Sequence, residues 1–166
     1  MSMVIGGSDG PTAVFLAGKL GEDWFNPFGL FFILMMLLPN MLYAVRSKGR
    51  EKKKCDKKYM VITEQIGRYA SMFLMVFNIG ILEYGFFSFE AITFYLITNF
   101  ALLAVYSVVW FSFFWKETYQ KAILLAVVPA AMFVFSGIFM RHILLILSGI
   151  VFGVGHFYVT SETFSK

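Results

Sequence analysis

Glu64, Arg68, Ser71, Met75 and Asn78 are spaced 4, 3, 4 and 3 residues apart in a stretch that is otherwise largely apolar. That spacing puts them on one stripe of an α-helix. A carboxylate four residues before a guanidinium is the favourable order for a helix-surface pair. Polar side chains inside a membrane are costly, so they face the bundle interior, where they line a path or hold helices together. The stripe is read as an ion pair with interhelical hydrogen bonds, or else as the wall of a polar cavity. Asn99 shares a face with Tyr95, Leu102 and Tyr106 in a later stretch, and is placed to meet Asn78 near mid-membrane. His156 lies one turn after Gly153. Histidine is the side chain that changes charge between pH 5 and 8, so His156 is read as an interface hydrogen-bonding group, with a proton relay as the alternative. The sequence has no Ser/His/Asp grouping, no H-E-x-x-H, no mid-span pair of carboxylates and no phosphate-binding loop. No catalytic residue, metal site or organic cofactor is assigned, and the chain is read as not an enzyme.

These residues must be carried by membrane helices. Of 166 residues, 59% are hydrophobic and only 14% charged, against roughly 25% charged in soluble domains. Residues 46–58 hold eight of the 14 basic residues and two acids, a net charge of +6 in a short loop between apolar stretches. Such a loop stays cytoplasmic, is placed to touch anionic lipid headgroups, and explains the basic balance without nucleic acid. Around it the expected spans are residues 24–45, 59–82, 91–115, 122–140 and 143–160. The fold expected is therefore all-α, a polytopic bundle of five transmembrane helices. Four remain if residues 59–82, free of charge only from residue 69, do not cross. With the basic loop inside, the amino terminus lies outside and the carboxyl terminus is cytoplasmic. Lys116, Lys121 and Lys166 then fall inside, and Glu22, Asp23, Glu83 and Glu90 outside. Trp24 and Tyr84 mark the outer interface, and Tyr43, Tyr59, Trp115 and Tyr119 the inner one. Pro39 and Pro129 are expected to kink their helices. The single cysteine, Cys55 in the basic loop, excludes an intrachain disulfide.

Gly149 and Gly153 form a G-x-x-x-G, which permits close helix approach within the chain or at a homodimer face. The partners expected are the bilayer and either a second copy or other membrane subunits.

Residues 1–23 form a separate segment before the helical domain of residues 24–166. It lacks the basic start and apolar core of a signal peptide, is Gly-rich at first, and carries a short helix expected over residues 11–20. Its Ile5-Gly6-Gly7-Ser8-Asp9-Gly10-Pro11-Thr12-Ala13-Val14 resembles the Gly-Gly-Ala-Asp-Gly-Pro-Thr-Ala-Ile segment of the β subunits of sodium-pumping, biotin-dependent decarboxylases. The continuation Ala17-Gly18-Lys19-Leu20 is similar as well. The resemblance implies Na⁺ as a bound ion, with Asp9 as its ligand among Gly6, Gly7 and Thr12. A hard cation takes oxygen ligands, and Gly-rich backbone exposes carbonyls beside the carboxylate. The rest of the chain is similar to small multi-pass proteins of Gram-positive bacteria, a likeness that brings no function with it. The function expected is that of a binding, transport-associated or assembly subunit of the bacterial cytoplasmic membrane. A sodium-linked protein using Asp9, and a purely structural, partner-binding protein, are the alternatives.

Overall fold

The structure, a computed structural model, describes residues 25–47, 57–79, 85–86 and 88–164. Asp9, Gly6, Gly7 and Thr12 lie outside these residues, as do Cys55 and most of the basic loop. The described chain is all-helical: α1 (Pro27–Arg46), α2 (Lys58–Val76), α3 (Phe89–Trp115), α4 (Tyr119–Phe139) and α5 (Ile143–Phe164). Four of the five, α1, α3, α4 and α5, are long and apolar enough to cross a membrane. The fifth, α2, carries Lys58, Glu64 and Arg68. It nevertheless covers the same depth as α1, because it starts beside the end where α1 stops and finishes against the residue where α1 begins.

That meeting point is Asn26. Its side-chain oxygen accepts from Gly29 N at 3.1 Å and caps α1, with Pro27 at the first helical position. Its backbone N–H donates to Val76 O at 2.7 Å. Its amide nitrogen reaches the Tyr95 hydroxyl on α3 at 3.3 Å and Met140 Sδ, just past α4, at 3.6 Å. Gly29 is required here, since a Cβ at that position would come within 2.1 Å of Met75 O.

The same contact corrects the expected length of the second helix. Residues 59–82 were expected as one span, but the helix stops at Val76. Phe77 turns extended and forms an isolated antiparallel bridge with Phe25. Backbone pairing with the chain entering α1 replaces the next helical turn.

The other ends are set by local chemistry. Ser88 caps α3, accepting from Ala91 N at 3.1 Å. Lys121 Nζ donates to Ser112 O at 2.9 Å and Lys116 O at 3.2 Å, so a cation closes the carbonyl end of α3. Between α4 and α5, Arg141 takes a left-handed conformation (φ 52°) and His142 N donates back to Gly137 O at 2.7 Å. A Cβ on Gly137 would meet Ile146 at 2.7 Å, so this turn needs glycine. α1 and α4 remain helical through Pro39 and Pro129.

α4 is the central helix, with 56% of its most apolar stretch buried against 22–28% in α1, α3 and α5. It packs along α5 on one side and α3 on the other, while α2 packs along α5 and α1 leans on α3 and α2. Ring contacts fill the core, Phe32 and Phe86 against Tyr95, and Phe133 against Phe152.

The ends of the bundle differ in charge. α1 and α3 finish together, with Tyr43 against Phe113 and Phe114, and α5 finishes beside them, with Phe113 against Phe164. α2 and α4 start there, with Lys57 over the Tyr158 ring and the Tyr119 hydroxyl 3.1 Å from Ser161 Oγ. Arg46, Lys57, Lys58, Lys116 and Lys121 therefore share one end. Among the described residues, Arg141 is the cation at the other.

Candidate functional site

The site grows from two glycines. Gly67 on α2 faces Phe152 on α5, where a Cβ would come within 2.5 Å of Phe152 N. Gly155 on α5 faces Glu64 on α2, where a Cβ would sit 2.9 Å from Glu64 N and Cα. Each helix thus lacks a side chain opposite a large one on its partner, and the two backbones close together.

Glu64 is trapped in that contact, 4% exposed. Its Oε1 accepts from the Arg68 guanidinium one turn along α2. The same oxygen lies 2.9 Å from His156 Nδ1 on α5. An ionised carboxylate only accepts, so with Glu64 ionised the Nδ1 nitrogen carries the proton. Phe152 stacks on the His156 ring, with centroids 5.0 Å apart and planes at 16°, and the Arg68 guanidinium lies over its face at 5.7 Å. Arg68 and His156 remain partly exposed. Seven residues deeper on α2, about 10 Å by helical rise, Ser71 Oγ donates to Ser148 Oγ at 3.1 Å, and Ser148 passes its hydrogen to Leu145 O at 3.0 Å. Glu64, Arg68, His156, Ser71 and Ser148 form one polar seam between α2 and α5.

At the mouth of the seam, outside the helices, hydrogen bonding to Tyr158 and then its charge raise the Lys57 pKa above the ordinary lysine value.

The expected stripe is therefore present over Glu64, Arg68, Ser71 and Met75, with Gly67 completing it, but Asn78 leaves it. Asn78 lies beyond the helix in the extended segment. Nor does Asn99 turn to Asn78. Its Nδ2 donates to Tyr95 O at 2.9 Å and its Oδ1 accepts from Ser136 Oγ at 3.2 Å, joining α3 to α4. Asn40, just after Pro39, donates to Tyr106 OH at 2.8 Å and to Met36 O at 3.2 Å. The G-x-x-x-G packs inside the chain. A Cβ at Gly149 would meet Phe133 and Val134, and one at Gly153 would meet Ala130, all on α4.

Sequence reasoning missed three groups. Gly67 and Gly155 are single glycines in different helices, and only their mutual facing gives them meaning. His142, fully buried, accepts from Leu145 N at 3.3 Å and caps α5; its place three residues before Leu145 was the available signal.

Chemically the seam places one carboxylate between two nitrogen donors, balances its charge within the chain and screens it from lipid. Among the described residues no group of three or more His, Cys, Asp or Glu side chains is arranged to hold a metal ion. Comparison with protein-family models, with curated proteins and with solved structures finds no match to this chain.

Proposed function

We propose that this chain is a small integral protein of the bacterial cytoplasmic membrane that acts as a binding or assembly subunit, without an enzymatic activity of its own. One observation supports this reading above the others: Glu64, Ser71, Asn99, Asn26 and Asn40 are each engaged by a neighbouring helix. Glu64 is held by Arg68 and His156, Ser71 by Ser148, Asn99 by Ser136, Asn26 by Tyr95 and Asn40 by Tyr106. That pattern builds a frame of fixed helices with an apolar exterior. The frame presents a cationic end, which the reading places in the cytoplasm together with the carboxyl terminus.

The test is reconstitution of the full chain into liposomes, alongside its native mass in mild detergent. Vesicles no more permeable to Na⁺ or H⁺ than empty ones, together with a mass above one chain, are the expected results. Sodium flux, or thermal stabilisation by NaCl over choline chloride that disappears in Asp9→Asn, would replace this reading with the sodium-linked one. A sodium site filled at 100 times its Kd stabilises by about 2.7 kcal/mol.

A further inference from the structure

The core-facing side of α1 comes out from cover partway along the helix. Gly29, Phe32, Ile33 and Met36 are buried. Asn40 falls in the same sector, seven residues after Ile33 and four after Met36. It is nevertheless exposed, as is Ala44 one turn further. At the outer end this sector is sealed by α2, where Asn26 N donates to Val76 O and Gly29 lies against Met75 O. Nearer the cationic end α1 leans on α3 instead, with Tyr43 against Trp110, Phe113 and Phe114, while α2 stays along α5. A crevice is thereby left between the inner halves of α1 and α2.

Its walls are polar. Val76, which meets α1, shares a flank of α2 with Met72, Arg68, Gln65 and Val61. Those four are partly exposed, whereas the fully exposed Ile62, Ile66, Tyr69 and Phe73 form the lipid face beside them. On the opposite wall Asn40 donates to the Tyr106 hydroxyl of α3, which is buried at the base. The Arg68 charge acts on that hydroxyl, which puts it on the crevice side of α2. One turn past Tyr106, Trp110 Nε1 is buried with no hydrogen-bond partner among the described residues, a donor that a water oxygen satisfies. By helical rise Arg68 lies about 12 Å from Val76, and Asn40 about 21 Å from Asn26. The guanidinium therefore sits near mid-membrane, where ionisable groups face protein or a water-filled cavity. Glu64 pairs with it on one side, and it is still 31% exposed.

We propose that this crevice is an aqueous vestibule. It opens at the cationic end, admits water and small hydrophilic solutes as far as Asn40, Gln65 and Arg68, and is closed beyond them by the contact of Gly29 with Met75. It hydrates the side of Arg68 that Glu64 leaves uncovered. A vestibule closed at one end carries no flux, so the proposal needs the chain to be membrane-embedded and is independent of the assembly role.

The test uses the full chain in liposomes, in a Cys55→Ser background, with single cysteines in neighbouring pairs at matched depth. The pairs are Asn40→Cys with Met41→Cys on α1, and Gln65→Cys with Ile66→Cys on α2. Met41 and Ile66, 64% and 63% exposed, stand on the lipid faces of their helices. The probe is a membrane-impermeant methanethiosulfonate bearing a sulfonate, added on the side that labels Ser47→Cys. Asn40→Cys and Gln65→Cys should be modified at least about tenfold faster than their neighbours, because a thiol in apolar surroundings ionises poorly. Gln65→Cys serves alone if Asn40→Cys, which loses the bond to Tyr106, does not fold. Equal rates within each pair would overturn the vestibule, since depth alone would then set access. Ser47→Cys labelled while Gln65→Cys and a folded Asn40→Cys stay unmodified would also overturn it, the crevice then being filled by acyl chains. So would labelling of Gln65→Cys from the opposite side alone, which would put the opening at the wrong end of the bundle.

Discussion

Glu64 owes its place to two donors that reach it from different helices, so removing any one of the three side chains has a distinct signature. Glu64→Ala leaves a guanidinium and an imidazole facing an apolar contact and is expected to destabilise by about 3 kcal/mol, the lower part of the range for breaking buried pairs. Arg68→Met should cost less, because Arg68 is partly exposed and its loss leaves the carboxylate bonded to His156. A double-mutant cycle of Glu64→Gln with His156→Phe, measured by unfolding in mixed micelles, should return a coupling of about 1–2 kcal/mol. A coupling of zero would mean that the Glu64–His156 contact contributes nothing to stability. The Glu64–Arg68 pair was legible in the sequence because residues four apart on a helix are neighbours whatever the fold. The His156 contact was not, since it depends on how α5 is rotated toward a helix 92 residues away. The junction at Asn26 was not legible in the sequence, because its amide nitrogen is bound to helices that follow much later. Its replacement by Ala should cost more than the 0.5–2 kcal/mol of an ordinary cap, as Tyr95 OH loses a partner in a buried place.

At the scale of helices, glycine decides which pairs close. Gly67→Ala and Gly155→Ala both drive a methyl group into the backbone of the facing helix, whereas Gly153→Ala meets only the Ala130 methyl at 3.0 Å. The first two are expected to destabilise by about 2–3 kcal/mol and the third by less than 1 kcal/mol, the scale of overpacking that can or cannot relax. Melting temperatures of the three variants in one detergent would rank them, and equal losses would remove the distinction between the two faces of α5. The positions of α1, α3, α4 and α5 were readable from their apolar runs, with ends placed within a few residues, because chemistry at those ends is local: Ser88, Pro27 and the Arg141 turn. The end of α2 was not readable. Residues 77–82 are as apolar as the turns before them, and what stops the helix is a hydrogen bond from Asn26 to Val76 that no local pattern announces.

For the whole molecule, the separation of cations to one end leads to a prediction about sidedness. In a Cys55→Ser background, Ser47→Cys should react with an impermeant maleimide only when the cytoplasmic face is open, and Arg141→Cys only from outside. The reverse pattern would invert the proposed topology while leaving the fold untouched. The seam has a further consequence for how the protein is made. α2 carries Glu64 and Arg68, and a charge of this kind at the centre of a lipid-facing helix costs about 2.5–3.5 kcal/mol on insertion scales. The helix that shields them, α5, is the last of the five to leave the ribosome. Nascent α2 therefore lacks the helix that covers this pair until α5 has been synthesised, and its far end is expected to wait at the membrane surface or be held there by the insertion machinery. A reporter glycosylation site placed in the segment between α2 and α3 should stay unmodified in chains truncated at residue 140 and become modified once α5 is included, making the crossing of α2 wait for a helix two further on than its neighbour α3.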